Sequence, residues 1–177
     1  MLVLSWLAMM IVHEAGHVIG ARLTGGIVER VVLHPLAFSR TDVAPNPHPL
    51  VVVWSGPLLG VLLPAIAFAA ASALKFQSAY LLRFFAGFCL IANGAYIGAG
   101  SFGRIGDAGV MLRHGSWAWQ LWAFGAVALA AGLSLWHGLG RDFGFGTAAR
   151  NASGRDAAII LAILILIIVL ETCFPSR

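Results

Sequence analysis

Charge is scarce in this chain. Asp, Glu, Lys and Arg make up 10% of its 177 residues, against about a quarter of an average soluble domain. With 60% of the residues hydrophobic, there is too little polar surface to face water on every side. A soluble globular domain is excluded, and a polytopic membrane protein is expected. Basic residues outnumber acidic ones by 11 to 7, but they are scattered. The absence of a basic cluster or stripe excludes nucleic acid as a partner and fits anionic lipid headgroups instead. The two cysteines, Cys89 and Cys173, lie in or beside apolar runs and form no C-x-x-C pair. No disulfide framework is implied, and packing is their expected role. No Lys or Arg precedes the first apolar run and no small-residue cleavage pattern closes it, so it reads as a span rather than a leader. No internal repeat or second domain is visible. Residues 1–177 read as one integral membrane domain, with a core over about 1–115 and accessory helices over about 116–177.

Long apolar runs are what the chain does have. A helix needs about 20 such residues to cross a bilayer, and five runs qualify: about Leu2–Leu23, Leu50–Leu74, Ala79–Gly98, Trp117–Trp136 and Ala157–Phe174. The expected class is therefore an all-α polytopic membrane protein of about five transmembrane helices. The β-branched stretch Ile27–Leu33 predicts a short strand. His34-Pro35 breaks it, and Leu36–Arg40 is its expected hairpin partner. Pro45, Pro47 and Pro49 make the following connector stiff. Gly98–Gly115 is too rich in glycine and too polar for a simple span, so it reads as irregular backbone around a cavity. Trp117, Trp119 and Trp122 at one end of the fourth run and Trp136 at the other resemble interface belts. Three runs carry G-x-x-x-G, in Gly16/Gly20, Gly56/Gly60 and Gly94/Gly98. Small residues let helix backbones approach closely, so these three helices are expected to form the tight core.

One stretch inside the first run breaks the apolar pattern. It reads His13-Glu14-Ala15-Gly16-His17, a match to H-E-x-x-H. Residues i and i+4 share a helix face, so His13 and His17 can offer two imidazoles to one metal ion. Neutral nitrogen donors suit Zn2+, and a catalytic zinc keeps one position open. Glu14, next to the first histidine, is placed to take a proton from water as a general base. A charged side chain within a span costs about 2.5–3.5 kcal/mol on insertion scales. Three polar residues in five therefore need a function.

A catalytic zinc needs a third protein ligand, and only seven carboxylates are available. With five spans, the loops after the first and third lie on one side, the side toward which the motif sits. Asp142, Asp156 and His137 belong to the other side. Glu171 ends the most lipid-like run. Glu29, His34, Asp42 and His48 lie in the first loop, beyond membrane depth. Asp107 is left, flanked by Gly106 and Gly109 so that the backbone can bend inward, with His114 as the reserve candidate.

With HEAGH, Ser55-Gly56-Pro57 and Asp107 in that order, the first 112 or so residues resemble the site-2 protease family of intramembrane zinc metalloproteases. The resemblance implies that His13, His17 and Asp107 hold Zn2+ and that Glu14 is the catalytic base. It aligns Ser55-Gly56-Pro57 with the family's Gly-Pro element and Asn93 with its Asn, which would be a catalytic residue at the oxyanion. The chain departs from the family in carrying Asp107-Ala108 for Asp-Gly, and Gly94-Ala95-Tyr96 after Asn93 in place of x-x-Pro. The implied activity is hydrolysis of peptide bonds in a transmembrane protein substrate, in a bacterial-type cell membrane, with the first-loop hairpin receiving the unwound substrate strand. Two other functions are compatible with the residues. One is a zinc-binding membrane scaffold that does not cut. The other is a small ion or metal transporter, although the paired halves common in transporters are absent.

Overall fold

The computed structural model describes residues 1–33, 39–145 and 153–173. It is largely helical: α1 (Leu2–Leu23), α2 (Pro49–Ala73), α3 (Ala79–Gly103), α4 (Gly106–Arg113), α5 (Ala118–Trp136) and α6 (Gly154–Cys173), with two short strands, β1 (Val28–Val32) and β2 (Arg40–Val43), after α1. Among the described residues, four helices are long and apolar enough to cross a membrane: α1, α2, α3 and α5. This is one fewer than the five expected from the sequence. The fifth run does form a helix, but Arg155 and Asp156 at its start and Glu171 near its end cut the uncharged stretch to Ala157–Leu170. That stretch falls short of the roughly 17–25 residues a span requires.

The α1 helix ends where Thr24 Oγ1 donates to the Gly20 carbonyl at 2.8 Å and the Gly26 amide to Ala21 at 2.8 Å. The chain then enters an antiparallel ribbon that pairs Arg30 with Asp42, Val31 with Thr41 and Val32 with Arg40. The partner strand thus begins at Arg40, the residue at which the sequence reading ends it. His34-Pro35 and most of the expected partner, Leu36–Phe38, lie outside the described residues. Pro49 opens α2, where a missing N–H costs nothing. Pro57 and Pro64 lie within α2 and are buried.

Helix packing follows the small residues. Gly16 and Gly20 of α1 sit against Ser55 and Gly56 of α2, so closely that a Cβ on either would overlap α2. The third pair behaves differently from expectation. Gly94 and Gly98 face Gly125 and Ala128 of α5, where a Cβ on Gly94 would lie 2.9 Å from that of Ala128. The seam therefore binds α3 to α5 and leaves the other side of α3 to meet α1 and α2.

Helix α3 also runs further than its apolar stretch, to Gly103, and the glycine-rich segment is mostly helical rather than irregular. The reversal is confined to Arg104 and Gly106, with φ of 52° and 51°. Helix α4 follows at once and plugs into a core of Val53, Ile97, Ala108, Met111 and Leu121. Met111 and Ala108 are fully buried there, in close packing of the kind that joins helices in a membrane. This docking fixes where the first turn of α4 points.

Helix α6 lies on α1 through Leu164 and Ile167, against Leu7, Met9, Met10 and Cys89. Its start is held by the buried Asp156 carboxylate, which accepts Ser78 Oγ–H at 2.8 Å and Tyr80 O–H at 2.9 Å. Cys89 is fully buried, in keeping with a packing role; the Cys173 side chain lies outside the described residues. Trp117, Trp119 and Trp122 are exposed. Trp136 is instead packed inward, stacked on Phe84 at 5.0 Å and donating from Nε1 to the Phe84 carbonyl.

Candidate metal centre

The helix α1 turns His13 and His17 to one face, where both are buried. Asp107, in the first turn of α4, meets them there. His13 Nε2 lies 2.8 Å and His17 Nε2 3.3 Å from the same oxygen, Asp107 Oδ2. Among the described residues these three form a group able to hold a metal ion, with one ligand atom of each lying within 4.8 Å of the others. His114, the reserve ligand, is exposed at the end of α4 and stands outside the group. Glu29 and Asp42 line the adjoining cavity but are not part of the group either.

The hydrogen bonds behind the imidazoles decide which nitrogens face the carboxylate. Asn93 Nδ2 donates to the Cys89 carbonyl at 2.9 Å, which orients the amide and turns Oδ1 toward His13. His13 Nδ1 therefore donates to Asn93 Oδ1, at 2.7 Å. His17 Nδ1 donates to the Val52 carbonyl at 2.8 Å. Both neutral rings then have their protons on Nδ1 and bare lone pairs on Nε2. Two lone pairs aimed at one carboxylate oxygen repel unless a cation, or a proton on each ring, lies between them. Nδ1 anchored to an oxygen and Nε2 free is the arrangement of metal-binding histidines. The donor set fits a divalent metal.

Asp107 is suited to the role. Burial pushes its carboxyl up, but protonated histidines bonded to it through Nε2 outweigh this and hold it well below the usual carboxylate range, and a cation between the same atoms would act in the same direction. Its backbone N–H, one of the unpaired donors of a helix start, is taken by the Tyr96 hydroxyl at 3.0 Å.

Glu14 is buried beside the group without joining it. Its Oε2 accepts the Thr41 hydroxyl of β2 at 2.7 Å. Glu14, both histidines, Asp107, Asn93, Tyr96 and Thr41 all line one cavity of about 980 Å3, whose remaining wall includes Trp6, Met9, Met10 and Ala92. Asn93 is bonded on both sides of its amide, through Oδ1 to His13 and through one Nδ2 N–H to Cys89. Thr41, Val52 and Tyr96 have no sequence signal. They enter through the ribbon, a backbone carbonyl and one face of α3.

Two glycines make room for this arrangement. A Cβ on Gly60 would stand 2.9 Å from both amide atoms of Asn93, and one on Gly56 would overlap the His17 imidazole. Gly56→Ala is therefore expected to displace His17 and to weaken any metal binding at this group by about 10–100-fold, the usual cost of disturbing the support of a metal ligand. Chelator competition on the purified variant measures this, with far-UV circular dichroism to establish that the helices persist. Unchanged zinc affinity would show that the ring has other room.

Comparison with protein-family models, with curated proteins and with solved structures finds no match for this chain.

Proposed function

We propose that this protein is a membrane-embedded zinc peptidase of the site-2 protease kind, which hydrolyses peptide bonds in transmembrane protein substrates. One observation carries the reading. Two imidazoles with Nδ1 anchored and Nε2 bare converge on one carboxylate oxygen, beside a buried glutamate that is not a ligand, in a cavity large enough for a peptide. An H-E-x-x-H site with a third carboxylate and a free Glu is the donor set of a catalytic zinc. Four helices long and apolar enough to cross a bilayer support a setting in lipid.

His13, His17 and Asp107 would hold the ion. A bound zinc supplies Lewis acidity, both to water and to a carbonyl oxygen. Glu14 accepts the proton from the attacking water and returns it to the leaving amine, its carboxylate held in place by Thr41. Asn93 and Val52 keep the imidazoles in the tautomer that leaves Nε2 free. The apolar side of the cavity, with Trp6, Met9 and Met10, suits a hydrophobic substrate segment, which must unwind because a helical amide is shielded.

The test is purified protein in liposomes, supplied with single-span peptides and followed by mass spectrometry. Cleavage that stops on chelation with 1,10-phenanthroline and returns with added zinc is the expected result. Zinc bound at one per chain without cleavage would favour a scaffold. Zinc carried into the liposome lumen without cleavage would favour a transporter.

A further inference from the structure

We propose that Tyr96 is a catalytic residue: its hydroxyl donates a hydrogen bond to the oxygen of the scissile carbonyl as that oxygen takes up negative charge. The assignment rests on the peptidase reading of the same cavity and adds a hydrogen-bond donor to the Lewis acidity that a bound zinc would supply. Peptide hydrolysis needs a donor at the developing oxyanion. Asn93 already has its Oδ1 on His13 Nδ1–H and one of its two Nδ2 N–H donors on the Cys89 carbonyl, which ties its amide to the histidine behind the site.

Tyr96 lies one turn further along the same face of α3. Its ring stands edge-on to that of His13, with centroids 5.9 Å apart, and it lines the cavity with Glu14 and the three candidate ligands. The hydroxyl is fixed by a single bond, in which it accepts the Asp107 backbone N–H at 3.0 Å. A phenol both accepts and donates, and among the described residues no acceptor takes the Tyr96 proton. The acceptor side of the oxygen is thus anchored to the residue that supplies the third ligand, while its proton is left for a visitor to the cavity.

The chain is also shaped around this oxygen. Gly106 adopts a left-handed φ of 51°, and a Cβ there would overlap the Tyr96 hydroxyl. A residue serving only to fill space would not need its polar end accommodated in this way.

A purely structural role for Tyr96 would be to cap α4 and so hold Asp107. Tyr96→Phe keeps the ring and removes the hydroxyl, and with it both the acceptor of the Asp107 N–H and the free donor, so the roles are told apart by comparing zinc and phosphinate affinities. Three quantities are measured on wild type and variant: zinc affinity by chelator competition, binding of N-acetyl-Leu-Ala-amide, and binding of its phosphinic counterpart, whose tetrahedral anionic centre resembles the hydrated carbonyl. The expected result is unchanged zinc affinity and unchanged amide binding, with phosphinate affinity lower by about 10²-fold, the typical effect of removing one oxyanion donor. Phosphinate affinity that falls by no more than zinc affinity does would make Tyr96 only a cap of α4 and overturn the assignment. Equal phosphinate binding by both proteins would overturn it as well. Wild-type protein that holds zinc but shows no preference for the phosphinate over the amide would remove the peptidase reading itself, and this assignment with it.

Discussion

Glu14→Gln is expected to leave zinc content unchanged and to lower cleavage by about 10²–10⁴-fold, the range that general acid–base catalysis contributes. The substitution is close to isosteric. The Gln carbonyl can still accept the Thr41 hydroxyl that Glu14 Oε2 accepts at 2.7 Å, so the side chain keeps its place in the cavity. Neither histidine nor Asp107 loses a contact. What the amide cannot do is take a proton from water. Zinc analysis beside peptide cleavage in liposomes checks both halves of the expectation. A variant that turns over at the wild-type rate would show that another group acts as base, and the hydrolytic mechanism given above would fall. A variant that loses zinc would make Glu14 a ligand.

Asp107→Ala is expected to reduce zinc affinity by more than about 100-fold and to abolish cleavage. Losing a support behind a ligand already costs 10–100-fold, and here the ligand itself goes. The carboxylate is the charge on which both Nε2 atoms converge, at 2.8 and 3.3 Å. Without it, two neutral imidazoles remain, too few for a stable catalytic zinc site. His114→Ala is the matched control, since His114 is exposed and outside the cluster; it should change neither quantity. The reverse pattern would transfer the third ligand to His114 and require α4 to sit differently from its docked position around Met111.

Much of the candidate site is legible from the chain alone, because its ingredients are local or rare. HEAGH is read by helical periodicity within five residues. Asp107 emerges because a chain with seven carboxylates leaves few to choose among. What escapes the sequence is what depends on tertiary approach. Val52 contributes a backbone carbonyl, which has no residue signature. Thr41 reaches Glu14 through a strand whose start cannot be placed from propensity. Tyr96 looks like any aromatic in an apolar helix until α4 folds back on it. The fold shows the same division. The long helices follow from apolar runs, and the ribbon was expected. The length of α3 was underestimated because glycines after Gly98 suggested a break, whereas Gly98 and Gly100 instead allow close contacts with α5 and α4. Glycine near a helix end marks either a turn or a close neighbour, and only the neighbour's position separates the two.

The seam between α3 and α5 carries a consequence for sites far from the chemistry. Asn93 and Gly94 are adjacent, yet they face different partners: one meets the imidazole of His13, the other the backbone of α5. Helix α3 is thus held by α5 on one face while another face reaches the candidate metal centre. Ala128 and Gly125 allow this approach because both are small, and the bond from His13 to Asn93 is 2.7 Å long. A larger side chain at Ala128 or Gly125 would press on α3 and disturb the bond between Asn93 and His13. A helix that contributes no residue to the cavity thereby bears on the alignment of one that does.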